Sequence, residues 1–198
     1  MVAWLNVICL ILVTALTAVF YVRSAGPAAL ERRIGPSAYA RCGRYRAVAM
    51  VFMFVGMANY ALYYFYPLPI PLPEVLPWPW WISALAGTLI ALPAGYMLGR
   101  GMSDAGKEAL IPQQDQQLYG GIYQQVRHPQ AWEALLWFTF AFWLHSPFLL
   151  LYSFVWLGVE YVMVMAEERD LVLRFGQAYV DYRRRTPAFL PWGGEAGS

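Results

Sequence analysis

The chain has 198 residues, of which 60% are hydrophobic, 17% aromatic and only 13% charged, with a net charge of +2 and a mean hydropathy of +0.43. Soluble domains carry about twice that charge fraction, so a water-soluble globule is excluded and the bilayer is the expected solvent. So small a net charge argues against a nucleic-acid partner, and two cysteines, Cys9 and Cys42, set no disulfide framework.

No charge interrupts Ala3 to Tyr21, which reads as a first spanning helix. A signal peptide is disfavoured because the arginines follow this run rather than precede it. A second uncharged run covers Ala47 to Tyr66, and a third Trp80 to Leu98, with Pro93 expected to kink it. Between them, the alternating prolines of 67–79 remove too many donors for helix or sheet and predict a stiff interfacial loop. Tyr60, Tyr63, Tyr64, Tyr66, Trp78, Trp80 and Trp81 flank it, as in an interfacial aromatic belt.

After a polar stretch from Arg100 to Pro129 come two apolar runs, Ala131 to Leu144 and Phe148 to Ala166, separated by His145-Ser146-Pro147. The first is short for a ~30 Å hydrocarbon core, so a tight helical hairpin is expected, with His145 as a turn residue at its tip. From Glu167 to Arg184, Leu171, Phe175, Tyr179 and Tyr182 recur at near-helical spacing among charges, predicting an amphipathic helix on the inner leaflet or the bundle.

The expected architecture is therefore an all-α integral membrane protein with five transmembrane helices, the last two a tight hairpin, plus a C-terminal cytoplasmic amphipathic helix. It forms one membrane domain: three spans in 1–99, a functional core in 100–191 and a flexible tail in 192–198. All fourteen Lys and Arg fall into three segments, after the first span, after the third and after the hairpin. Five crossings put all three on one side, which the positive-inside tendency makes the cytoplasm, with the N-terminus outside.

Charges inside apolar runs are functional candidates. Glu133 starts the hairpin and Glu160 lies within its second arm; Glu160 and Glu167 are seven residues apart and share a helix face, with Glu168 about 100° further round. Arg127-His128-Pro129 immediately precedes the hairpin. Alone, it reads as a snorkelling arginine and a helix-start proline.

In context it says more. Gly121-Ile-Tyr123-Gln-Gln-Val-Arg127-His128-Pro129, then the hairpin, then Glu167-Glu168, Phe175-Gly176, Tyr179, Tyr182, Arg185-Thr-Pro187 and Leu190-Pro191 together resemble the integral-membrane methyltransferases that include isoprenylcysteine carboxyl methyltransferases and phospholipid N-methyltransferases. The resemblance covers about the last 80 residues. It implies S-adenosylmethionine as methyl donor, in a cytoplasmic pocket roofed by the C-terminal helix. By position, Gln117 and Leu118 would offer backbone contacts to the cofactor, Tyr123, Arg127, His128 and Pro129 would line its pocket, and Glu167 and Glu168 would hold its amino-acid end. Arg185 would lie at the reaction centre. Where the family commonly has an aromatic residue and then a glycine after the proline, this chain has Ala131 and Glu133, flanking Trp132.

The resemblance further implies a lipophilic acceptor entering from the bilayer. A carboxylate acceptor would call on Arg185 and Arg127. An amine would call on Glu133 or Glu160, with aromatic walls such as Trp132, Trp137, Trp156 and Tyr161. Trp132, Tyr179 and Tyr182 are the expected substrate-binding residues. Neither a metal nor an obligatory protein partner is expected. The rival reading is a membrane reductase of the steroid-reductase type using NADPH, because some of its relatives also carry an Arg-His-Pro segment before their last hairpin.

Overall fold

The computed structural model describes residues 1–113 and 120–190, and within them it is all helical. Helix α1 covers Val2–Ser24, α2 Pro27–Ile34, α3 Ser37–Phe65, α4 Trp80–Ala105, α5 Glu133–Trp143, α6 Pro147–Phe175 and α7 Gln177–Arg185. Single 3-10 turns at Gly106–Ala109, Gly121–Gln124 and Pro129–Trp132 carry the chain from α4 to α5. Four helices, α1, α3, α4 and α6, are long and apolar enough to cross a membrane. This is a multi-pass membrane protein.

Three boundaries differ from expectation. Helix α3 begins ten residues before the uncharged run, because nothing in Ser37 to Arg46 stops a helix; its first turns are simply polar. Helix α5 has 11 residues, about 16 Å of rise, and is not among the four helices of spanning length. The expected amphipathic helix over Glu167 to Arg184 is divided: α6 runs on to Phe175, Gly176 turns the chain at φ +56°, and α7 starts afresh. At Gly176 the left-handed backbone ends the helix, a conformation glycine adopts without steric cost. Helix α4, by contrast, continues through Pro93.

Helix α1 packs along α3 and also touches α6, while α5 lies between α4 and α6. Leu144-His145-Ser146 joins α5 to α6, and Ser146 Oγ accepts the Leu149 N–H at 3.4 Å, capping α6 with Pro147 in its first turn. His145 closes the hairpin with φ +54°. Its Nδ1 lies 2.7 Å from Ser83 Oγ and its carbonyl accepts the Leu76 N–H at 3.2 Å, tying the Pro-rich loop to the hairpin tip.

In lipid, helix association rests on close packing and small contact residues. A Cβ on Gly87 would stand 2.8 Å from Trp143 Cδ1, and one on Gly56 would stand 3.1 Å from Trp156 Cζ2. Behind Gly56, the rings of Trp137 and Trp156 stack with centroids 3.9 Å apart and planes 3° from parallel. They anchor a core of Val7, Leu10, Tyr60, Tyr63 and Leu149 towards the hairpin-tip end. A smaller cluster of Met97, Ile122, Tyr123 and Val126 packs where α4 meets the loop before Arg127.

Candidate functional site

That second cluster fixes the Arg127-His128-Pro129 segment. Gly101 on α4 lies under Pro129: a Cβ there would come within 2.8 Å of the proline Cγ. Ahead of the segment, the 3-10 turn Gly121–Gln124 is fastened to α4, with the Tyr123 hydroxyl donating to the Gly101 carbonyl at 3.1 Å and the Ile122 N–H to Asp104 Oδ2 at 2.8 Å.

From the other side come two neighbouring carboxylates whose directions diverge by one helical step. Glu168 is buried. Its Oε1 accepts from Arg127 Nε at 3.0 Å, lies 2.8 Å from Arg127 Nη2 and 3.1 Å from His128 Nε2, while Arg183 Nη1 stands 3.5 Å from Oε2. Glu167 faces inward, where its Oε1 accepts the Tyr21 hydroxyl at 2.7 Å and lies 3.7 Å from Arg46 Nη2; its Oε2 is 3.8 Å from His128 Nδ1. The buried His128 ring thus sits between both carboxylates.

A strap formed by 186–189 covers this arrangement. The Arg127 and His128 N–H groups donate to the carbonyls of Pro187 and Ala188 at 2.9 and 3.0 Å. Arg127 Nη1 donates to the carbonyls of Arg183 and Thr186, both at 2.7 Å, and Trp132 Nε1 to that of Phe189 at 2.9 Å. On α7 the Tyr182 hydroxyl donates to the Tyr123 carbonyl at 2.6 Å, and burial pushes its pKa up to about 12. Burial also raises Tyr179, whose hydroxyl has no hydrogen-bond partner among the described residues.

Two cavities open beside the segment. The first is polar, about 80 Å³, and lined by Tyr21, Arg46, Glu108, Tyr123, Arg127, His128, Pro129, Glu160, Glu167, Asp170 and Arg174, among others. The second is larger and apolar, about 290 Å³, with Met50, Met53, Met57, Met102, Met163 and Trp137 on its wall and Glu133 beside them. Tyr21, Arg46, Ala109, Gln130 and Glu160 line both.

The structure thus gathers Tyr123, Arg127, His128, Pro129, Glu160 and Glu167 round the polar cavity, and puts Glu133 and again Glu160 on the wall of the apolar one. Glu168, Trp132, Tyr179 and Tyr182 line neither cavity: Glu168 holds Arg127 and His128, Trp132 bonds the strap, Tyr182 bonds the Tyr123 carbonyl and Tyr179 packs against Tyr182. Arg185 is exposed at the end of α7, its Nε donating to the Asp181 carbonyl at 3.3 Å, and it too lines neither. Trp156 belongs to the core and Tyr161 is exposed. Gln117 and Leu118 lie outside the described residues.

Among the polar residues lining the first cavity, Tyr21, Arg46, Glu108, Gln130, Asp170 and Arg174 escaped the sequence reading. Arg174 Nη1 pairs with Glu108 Oε1 at 2.9 Å, and Asp170 Oδ1 accepts the Ala28 N–H at 2.9 Å at the start of α2. The available signal was that Tyr21 ends the first uncharged run and Arg46 precedes the second, so both stand at the same membrane depth. Among the described residues no group of His, Cys, Asp or Glu is arranged to hold a metal ion.

Comparison with characterised proteins gives the arrangement a context. The chain is 32% identical to methanethiol S-methyltransferase 2 of Bradyrhizobium diazoefficiens over 124 residues, which cover 58% of the chain and 43% of that protein. It is 39% identical to methanethiol S-methyltransferase of Mycobacterium tuberculosis over 75 residues, covering 36% and 29%. The chain is related to methyltransferases. Its match spans less than half the length of these curated relatives, and neither is a reductase. No protein-family profile matches the chain, and no solved structure matches it significantly.

Proposed function

We propose that the chain transfers a methyl group from S-adenosylmethionine to a lipophilic acceptor, with the donor in the polar cavity and the acceptor in the apolar one. The observation that carries this reading is the shared wall of Tyr21, Arg46, Gln130 and Glu160. A water-soluble donor and a lipid-soluble acceptor need such adjoining chambers, and the helices between them keep water out.

The residues present suit the donor. Its ammonium calls for carboxylates, which Glu167 and Asp170 supply, and its carboxylate calls for cations, which Arg46, Arg174 and His128 supply. Bound there, S-adenosylmethionine would provide an electrophilic methyl group, leaving the chain to align the acceptor and exclude solvent. Glu168 acts one step back: it holds Arg127 and His128 in place. Arg185, outside both cavities, has no part in this reading. By the distribution of arginines, the polar cavity faces the cytoplasm.

Incubating purified protein with methyl-labelled S-adenosylmethionine and a lipid extract, then identifying what carries the label by mass, tests the proposal. Saturable donor binding and label in a lipophilic product are expected. Absence of donor binding to the intact protein overturns it.

A further inference from the structure

Helices α1 and α3 meet along a seam whose sides differ. Tyr21 and Arg46 line the polar cavity, with the Arg46 guanidinium 5.3 Å from the Tyr21 ring centroid. Their neighbours in sequence, Phe20 and Tyr45, each stand one helical step round and line neither cavity. Instead the Phe20 and Tyr45 rings meet with centroids 6.1 Å apart, and Phe52 lies 5.8 Å from Phe20. All three rings are half-buried, and Val19, Val48 and Val51 near them are exposed. Such a surface suits acyl chains.

Charge begins where this apolar seam ends. Arg23 lies one turn on from Phe20 and Arg41 one turn before Tyr45, and both are exposed. They sit at one level of the bundle, because Cys42 Sγ donates to the Arg23 carbonyl at 3.6 Å and Arg46 Nε to Ser24 Oγ at 3.5 Å. Arg41 is held in place: its Nε donates to the Tyr45 hydroxyl at 3.0 Å and its guanidinium carbon stands 5.8 Å from that ring's centroid. Arg44, on the next turn of α3, is exposed as well. Among the described residues no carboxylate pairs with Arg23, Arg41 or Arg44. A side chain that merely snorkels to water needs no hold of the kind Tyr45 gives Arg41.

We infer that this groove binds an anionic phospholipid, its phosphate held by Arg23 and Arg41 and one acyl chain lying along Phe20, Tyr45 and Phe52. Guanidinium groups match phosphate oxygens bidentately, and cations at the edge of a span attract anionic headgroups. The occupant is anionic rather than zwitterionic, because three arginines with no paired acid offer nothing to a choline or ethanolamine ammonium. Bound there, the lipid braces the outer side of a seam whose inner side is wall to the polar cavity. The site stands whether or not the chain transfers methyl groups.

The test uses the full chain in detergent, titrated with dioleoylphosphatidylglycerol or dioleoylphosphatidylcholine, with the first bound lipid read by native mass spectrometry. Wild type should bind the glycerol lipid at least tenfold more tightly than the choline lipid. Arg23→Gln with Arg41→Gln should bring that ratio below threefold, with choline-lipid affinity and melting temperature unchanged. Tyr45→Phe, which releases Arg41 without removing charge, should also lower the ratio. Arg32→Gln with Arg33→Gln removes equal charge from exposed positions on α2 and should leave the ratio within twofold of wild type. A wild-type ratio near one overturns the inference. So does an equal loss in the Arg32 and Arg33 variant, which would mean diffuse attraction, or displacement of the glycerol lipid by a large excess of inorganic phosphate, which would mean an anion site indifferent to lipid. The wild-type ratio and the phosphate competition need no variant to fold.

Discussion

Adjacent residues on one helix do opposite jobs here. Glu168 is spent on Arg127, His128 and Arg183, whereas Glu167 is turned into the cavity with Tyr21. Replacing Glu168 by Gln leaves the mostly covered Arg127 short of its charged partner, a change that costs about 3 kcal/mol. A clear drop in thermal stability in detergent is therefore expected. Glu167→Gln should leave the melting temperature nearly unchanged and weaken S-adenosylmethionine at least tenfold. Equal thermal behaviour of the two variants would contradict this division. Tyr182 offers a pH test. Its pKa, raised by burial to about 12 from about 10 in an unfolded chain, means that its contribution to stability is complete below pH 10 and is lost as pH rises through 12. The stability gap between wild type and Tyr182→Phe, about 1 kcal/mol, should hold to pH 10 and then shrink. The sequence made these residues visible as a motif but not their roles, because a Glu-Glu pair carries no sign of which member faces the cavity.

Helix α4 is the platform under the site, and its glycines report where. Gly101 lies against Pro129, whereas Gly99, two residues earlier, has nothing within 4 Å of where a Cβ would be. Gly101→Ala should push the Arg-His-Pro turn away, costing about 1–3 kcal/mol by overpacking and weakening donor binding. Gly99→Ala should leave both stability and binding at wild-type values. Binding isotherms of the two variants settle the matter, and equal affinities would mean that α4 does not set the position of Pro129. The four long helices were legible because an uninterrupted apolar run has few other fates. Their ends were less so. The polar start of α3 and the break at Gly176 depend on backbone preferences that hydropathy does not register, and α5 is too short for its apolar run to declare whether it crosses.

For the molecule as a whole, the polar and apolar cavities meet inside one bundle, and the chain supplies their common wall from α1, α3, the turn after α4, the turn before α5, and α6. Sequence reading singled out the part of the cavity lining that is local in the chain, Tyr123, Arg127, His128 and Pro129 with Glu160 and Glu167. It missed Tyr21 and Arg46, because long-range proximity is set by how α1 packs on α3 and α6, and an arginine near a span end looks the same whether it snorkels or lines a cavity. If the two chambers are separate in function, filling one should spare the other. Met53→Trp, which occupies the apolar chamber, should cut methyl transfer at least tenfold with donor affinity within twofold of wild type. A parallel loss of donor affinity would show that the cavities bind as one.

The hydrogen bonds from Arg127, His128 and Trp132 to Pro187, Ala188 and Phe189 also bear on biogenesis. Tyr21 enters the membrane early in synthesis, yet the roof over His128 is made of residues that leave the ribosome long after. The hydrogen bonds that cover His128 can therefore form only after helices α1 to α7 have all been made. A chain ending before residue 186 would contain α1 to α7 and still lack the carbonyls of Pro187, Ala188 and Phe189 that Arg127, His128 and Trp132 donate to.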